Sequence, residues 1–323
     1  IYLINATGQV LWKRLLPEKI IGSVAQVDGL NNNKLQLLFN TSSFIYLIDR
    51  NGDDVKNFPV KLPAASTAPL TVIDYENDKT YRILIPCSDK TIYNYSTNGE
   101  LIKGWQNPTS AEIVETQALY FSVNKMDYIA YIDKVGNVKI VNRHGEEKIL
   151  LNTTLENTNG SFKIVTGKNM DQTYIIGFDT IEHAIVRLYL DNKKENFKPD
   201  GIKENTGFIC YDLNNDKTNE FILSNEQTLW AVNNDESILF ENNFETEIKP
   251  VPYIFNSGSK GTFIGSISPS FEEVYIFDLA GNQLKGMPLK GIGGFTLDDI
   301  NNDGTLFMIC VGTSNRIFAY QIE

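Results

Sequence analysis

Eight short apolar stretches recur along the 323 residues at intervals of 43 to 48. They are Ile1-Tyr2-Leu3, Ile45-Tyr46-Leu47, Ile92-Tyr93-Asn94, Val138-Lys139-Ile140, Val186-Arg187-Leu188, Leu229-Trp230-Ala231, Val274-Tyr275-Ile276 and Ile317-Phe318-Ala319. A period of that length, filled with short alternating runs, marks tandem units that bury their apolar faces only against one another. Each period has room for four short strands. The expected fold is therefore all-β, a β-propeller of four-stranded antiparallel blades forming a single domain over residues 1–323.

The clearest unit, residues 22–62, predicts strands at 23–27, 35–39, 44–48 and 55–60. Asn, Asp and Gly fill the connections, because these residues tolerate left-handed backbone or bond their own main chain. The turn between third and fourth strands repeats most faithfully: Thr7-Gly8, Asn51-Gly52, Asn98-Gly99, His144-Gly145 and Ala280-Gly281, with Asn192-Lys193 and Asn234-Asp235 standing in elsewhere. The chain both opens and closes with a third strand. A seven-bladed ring is expected, closed by pairing of residues 9–12 with the terminal strands; an eight-bladed ring completed by upstream sequence is the alternative. Fifteen Tyr and eighteen Phe supply volume for packing between blades.

A net charge of −11 repels phosphate backbones and anionic headgroups, so nucleic acid is not an expected partner. No run of about 18 apolar residues is present, and no membrane span is expected. The first residue is Ile, inside a repeat, which suggests a fragment of a longer protein. A leader or anchor ahead of it would direct the chain to a bacterial cell envelope. Cys87, Cys210 and Cys310 are far apart, odd in number and set in apolar runs, as buried free thiols are.

Asn5-Ala6-Thr7-Gly8-Gln9-Val10-Leu11-Trp12 resembles the "D-x-x-T-G-x-x-x-W" of quinoprotein-like propeller blades, and the repeats broadly resemble WD40-like ones. A closer resemblance is to the C-terminal propeller of large, Asn- and Lys-rich Bacteroidetes proteins of unknown function. It rests on residues 45–52, Asn57-Phe58-Pro59, residues 285–291 and Val311-Gly312-Thr313-Ser314. That resemblance implies no enzymatic activity.

One motif carries chemistry. Asp212, Asn214, Asp216 and Glu220 occupy positions one, three, five and nine of a loop, similar to the calcium loops of integrin-type propellers, and hard oxygens on a flexible loop suit that ion. Asp299, Asn301 and Asp303 repeat the first half, but position nine is Phe307; in the Asp28 and Asp74 loops it is Gln36 and Arg82. Most copies are thus expected to be hairpin turns, with calcium a candidate only at Asp212; no other cofactor is expected. His144 and His183 sit in turns and offer no nucleophilic triad.

Residues 62–67, Ser88-Asp89-Lys90, Asn225-Glu226-Gln227 and Thr313-Ser314-Asn315 are small, polar and varied. On a propeller such connections share one face, suited to recognising a polypeptide or glycan. The expected function is a non-enzymatic interaction module binding a protein, an adjoining domain or a glycan. The alternative is a propeller enzyme, quinoprotein-like or carbohydrate-active.

Overall fold

The computed structural model describes residues 1–155, 158–216, 218–314 and 316–322. Almost every element is a strand. A hairpin of β1 (Tyr2–Ile4) and β2 (Val10–Lys13) comes first. Blade 1 follows as β3 (Ile21–Val27), β4 (Gln36–Asn40), β5 (Phe44–Ile48) and β6 (Val60–Lys61), and blade 2 as β7 (Thr71–Ile73), β8 (Arg82–Pro86) and β9 (Ile92–Ser96). Blade 3 is β10 (Leu119–Val123), β11 (Met126–Ile132), β12 (Val138–Val141) and β13 (Glu147–Leu150). Blade 4 is β14 (Thr158–Val165), β15 (Tyr174–Asp179), β16 (Ala184–Tyr189) and β17 (Lys194–Phe197). Blade 5 is β18 (Gly207–Tyr211), β19 (Glu220–Ser224), β20 (Thr228–Val232) and β21 (Ile238–Asn243). Blade 6 is β22 (Tyr253–Asn256), β23 (Thr262–Ser268), β24 (Glu273–Phe277) and β25 (Leu289–Lys290), and blade 7 is β26 (Phe295–Asp298), β27 (Leu306–Val311) and β28 (Ile317–Ile322). Every sheet is an antiparallel meander in sequence order. The fold is a seven-bladed β-propeller.

Two compact units make up the chain: residues 1–179 with Ile185–Phe197, and Thr180–Ala184 with Lys198–Glu323. In the first, the middle strands are buried on both faces. Ile83 and Ile85 of β8 pack with Leu38, Ile45 and Leu47 of blade 1, while Leu84 points the other way, to Ile129 and Tyr131 of blade 3. Alternation along one strand thus fills two inter-blade layers, which is why these strands read as unbroken apolar runs. The second unit repeats the scheme: Ile264 and Phe277 of blade 6 meet Ile222 and Leu229 of blade 5, and Val274 and Ile276 meet Met308 and Cys310 of blade 7. Burying each such Ile or Leu contributes about 1.5–3 kcal/mol. The three thiols are free, with Cys87 and Cys310 buried and Cys210 half-buried.

Fourth strands depart from expectation. In blade 1 the ladder holds only Val60–Lys61, because Asn57 takes a left-handed backbone at φ 74° and Pro59 has no N–H to donate. In blade 2 the fourth edge is reduced to bridges Tyr95–Leu101 and Thr91–Thr109. Residues 9–12, expected to join the last blade, pair with β1 instead. A short turn favours this local partner: Asn5 Oδ1 accepts from the amides of Thr7 and Gln9 at 3.1 and 2.9 Å. Trp12 is also committed to blade 1, its Nε1 donating to Arg50 O at 2.8 Å. The β26–β28 ladder is three strands wide.

Candidate functional site

The Asp/Asn-rich loops are one turn built four times. Asp28 accepts from the amides of Asn32 and Asn33 at 2.9 and 2.8 Å, and Asp74 from those of Asp78 and Lys79 at 3.1 and 2.8 Å. Asp299 accepts from Asp303 and Gly304 at 3.2 and 2.7 Å, and Asp212 from Asp216 at 3.1 Å. The fourth residue of each loop is left-handed: Asn31, Asn77, Asn215 and Asn302 have φ of 50, 55, 62 and 55°. Asn relieves that strain better than other non-glycine residues. The fifth residue then caps the exit. Asp78, Asp216 and Asp303 accept the amides of Thr80, Thr218 and Thr305 at 2.9, 2.7 and 2.8 Å. Each of these three carboxyls is held below its usual range, first by a threonine hydroxyl and then by that amide.

What would be a cation's place is taken in one copy. In the Asp28 loop a resident ammonium takes it: Lys79 Nζ lies 2.6 Å from Asp28 Oδ2 and 2.7 Å from Asn33 Oδ1, and this bond leads the causes that lower the Asp28 carboxyl. Position nine supplies donors in two copies, Gln36 Nε2 bonding Lys34 O and Arg82 Nη1 bonding Thr80 O. Only Glu220 is an acceptor that cannot do this. It is 1% exposed, and its Oε2 takes the amide of Leu213 at 2.7 Å. The structure therefore brings Asp212, Asn214, Asp216 and Glu220 onto one turn, largely engaged with the turn's own donors. Among the described residues no group of three or more His, Cys, Asp or Glu gathers as a metal-binding set. His144 and His183 are exposed in turns.

The connections expected to share a face are stitched together within each unit. In the first, Ser66 N donates to Ser42 O at 2.7 Å, Ser88 N to Ala65 O at 2.8 Å and Ser110 N to Lys90 O at 3.0 Å. In the second, Ile248 N reaches Glu226 O at 2.7 Å and Gly291 N reaches Glu272 O at 2.8 Å. Buried polar residues at the ends of second strands hold the same side: Asn40 donates to Ser66 Oγ at 3.0 Å and accepts from Leu70 N at 2.9 Å, and Ser268 Oγ donates to Glu247 O at 2.8 Å. Of the Thr313-Ser314-Asn315 connection, Asn315 lies outside the described residues.

In the second unit this side is apolar at its tips. Ile181, Val251, Phe271, Val311 and Ile317 are 69, 47, 54, 45 and 57% exposed, whereas the opposite side of that unit carries two such side chains among the described residues, Ile238 and Leu239 at the start of β21. Sequence reasoning expected small polar residues here. A groove of about 410 Å³ opens on the same side. Residues 244–246, leaving β21, form one wall, and Phe271 with the start of β24 forms the other. Alternation along β24 sends Glu273, Tyr275 and Phe277 to the blade-5 side, where Phe244 meets Tyr275 edge-on at 4.9 Å. Tyr275 OH donates to Glu273 Oε2 at 2.8 Å. Burial pushes the Tyr275 hydroxyl up to about 12, with further contributions from Glu273 and the Glu245 charge. The sequence signal was a glutamate at a position where β5 has Phe44 and β20 has Thr228.

No family model matches the sequence, and no curated protein matches it. Solved structures do. BamB from Moraxella catarrhalis is similar over 98% of this chain and 89% of that one, at 14% identity and a TM-score of 0.55. BBS1N in complex with ARL6DN is similar over 95% and 93%, at 10% identity and 0.63. Dihydro-heme d1 dehydrogenase NirN in complex with DHE is similar over 98% and 69%, at 10% identity and 0.62. Identities this low speak for the shared propeller fold alone.

Proposed function

We propose that the chain is an interaction module that binds a protein partner through the second unit's connections between second and third strands and between blades. The observation that carries this reading is the set of exposed apolar tips, Ile181, Val251, Phe271, Val311 and Ile317, on a side whose main chain is otherwise fixed by hydrogen bonds. Clustered exposed apolar groups on a rigid frame are what protein partners cover. Among the similar structures, that of BBS1N was solved in complex with ARL6DN. The alternative, a propeller enzyme, has behind it the likeness to NirN, which is a likeness of fold. Kinship with the Bacteroidetes propellers remains part of this proposal and rests on the segments quoted above.

The test is quantitative capture from a bacterial envelope extract. Val251→Ser with Val311→Ser is expected to reduce capture of the specific partner at least tenfold, and Leu101→Ser with Met126→Ser, which removes equally exposed apolar groups elsewhere, to leave it unchanged. Equal loss in both pairs contradicts the reading. Calcium at the Asp212 loop is a separate proposal, resting on Glu220 as the one carboxylate at position nine. Heat on calcium addition with a raised melting temperature, both lost in Glu220→Gln, supports it; neither signal in the wild type removes it.

A further inference from the structure

We infer that the groove between β21 and β24 takes a lysine or arginine side chain of the bound protein. This deepens the reading above and rests on it. Three features of the groove match a cationic side chain. Its walls carry Phe244, Phe271 and Tyr275, whose ring faces attract a cation and accept an aliphatic stem. Two carboxylates stand over it, Glu245 and Glu273. Glu245 is exposed and has no ion-pair partner within 4 Å among the described residues. Among the described residues Glu273 has one ion-pair partner, Lys290, 3.5 Å away and itself bonded to Phe271 O. The surrounding connections add Glu226, Glu247 and Glu272, all at or near this rim, against Lys249 and Lys290.

The volume, about 410 Å³, is ample for one long side chain with its hydration. The fourth strand of blade 6 is interrupted beside it. Between the bridge Phe277–Gln283 and the pair Val274–Leu289, Tyr275 faces the groove with no continuous outer strand beside it. A cation seated there gains charge-assisted hydrogen bonds from Glu245 and Glu273 while its stem covers Phe271, one of the exposed apolar tips.

The experiment is calorimetric titration of the whole chain with a ten-residue alternating Lys-Gly peptide at 50 and 200 mM salt. Binding is expected, weaker at the higher salt. Glu245→Gln with Phe271→Ala is expected to weaken it at least tenfold, whereas Glu100→Gln, an equal single-charge change on the first unit, leaves it within twofold. Both altered groove residues are exposed, and a melting curve confirms folding. No binding to the wild type, or equal weakening by both variants, overturns the inference. If the peptide fails while Val251→Ser with Val311→Ser still abolishes partner capture, the groove assignment falls and the surface reading stands. The reverse pattern overturns the surface reading alone.

Discussion

Asn40 shows how much one side chain can hold. Fully buried, it donates to Ser66 Oγ and to the carbonyls of Thr41 and Ala68, and accepts the Leu70 amide. Asn40→Ala strips these partners in a place water does not reach, so a loss of about 1–3 kcal/mol is expected in chemical denaturation; an unchanged midpoint would mean the network is dispensable. Lys79 acts by charge. Its ammonium depresses the Asp28 carboxyl, and a depressed carboxyl stabilises the fold above its ordinary range and loses that contribution as pH falls through its folded value. Lys79→Met is therefore expected to melt below the wild type at pH 7, with the gap narrowing below about pH 4. A gap constant down to pH 2.5 would assign the effect to packing instead.

At the scale of elements, three fourth-strand segments share one device. Val55-Lys56-Asn57-Phe58, Ile102-Lys103-Gly104-Trp105 and Leu284-Lys285-Gly286-Met287 each place a left-handed residue third, at φ 74, 84 and 84°. The fourth residue's amide then returns to the first residue's carbonyl, at 2.9, 3.3 and 3.3 Å. The fourth side chain is an anchor: Phe58 and Trp105 are buried, and Trp105 Nε1 donates to Ile92 O at 2.8 Å. Trp105→Ala is expected to cost about 3–5 kcal/mol. Gly104→Ala tests the backbone alone, since an added Cβ there meets nothing within 4 Å, and about 1–2 kcal/mol is expected. A neutral Gly104→Ala in the same denaturation series would show the turn relaxes freely. These segments also mark where sequence reading stopped. The period was legible because the same short pattern recurs along the sequence, and the β5 boundaries and the Asp-rich turns because each depends on residues a few positions apart. Trp105 stands six residues after Gly99 where Trp12 stands four after Gly8, because it belongs to a different device, in register with Phe58 and Met287. The groove escaped notice because Phe244 and Tyr275 become neighbours only when two blades pack.

For the whole molecule, the fold supplies rigidity and the second unit supplies the difference between one side and the other. Acidic charge is spread over the chain, but exposed apolar tips in that unit are concentrated on one side, five against the pair Ile238 and Leu239 on the other. The most direct test places a photo-crosslinking amino acid at positions 251, 271 and 311, and in separate variants at 234, 280 and 302 on the opposite turns, before exposure to envelope extract. One adduct of common mass is expected from the first three positions and none from the second three. Adducts confined to positions 234, 280 and 302 would contradict the surface reading.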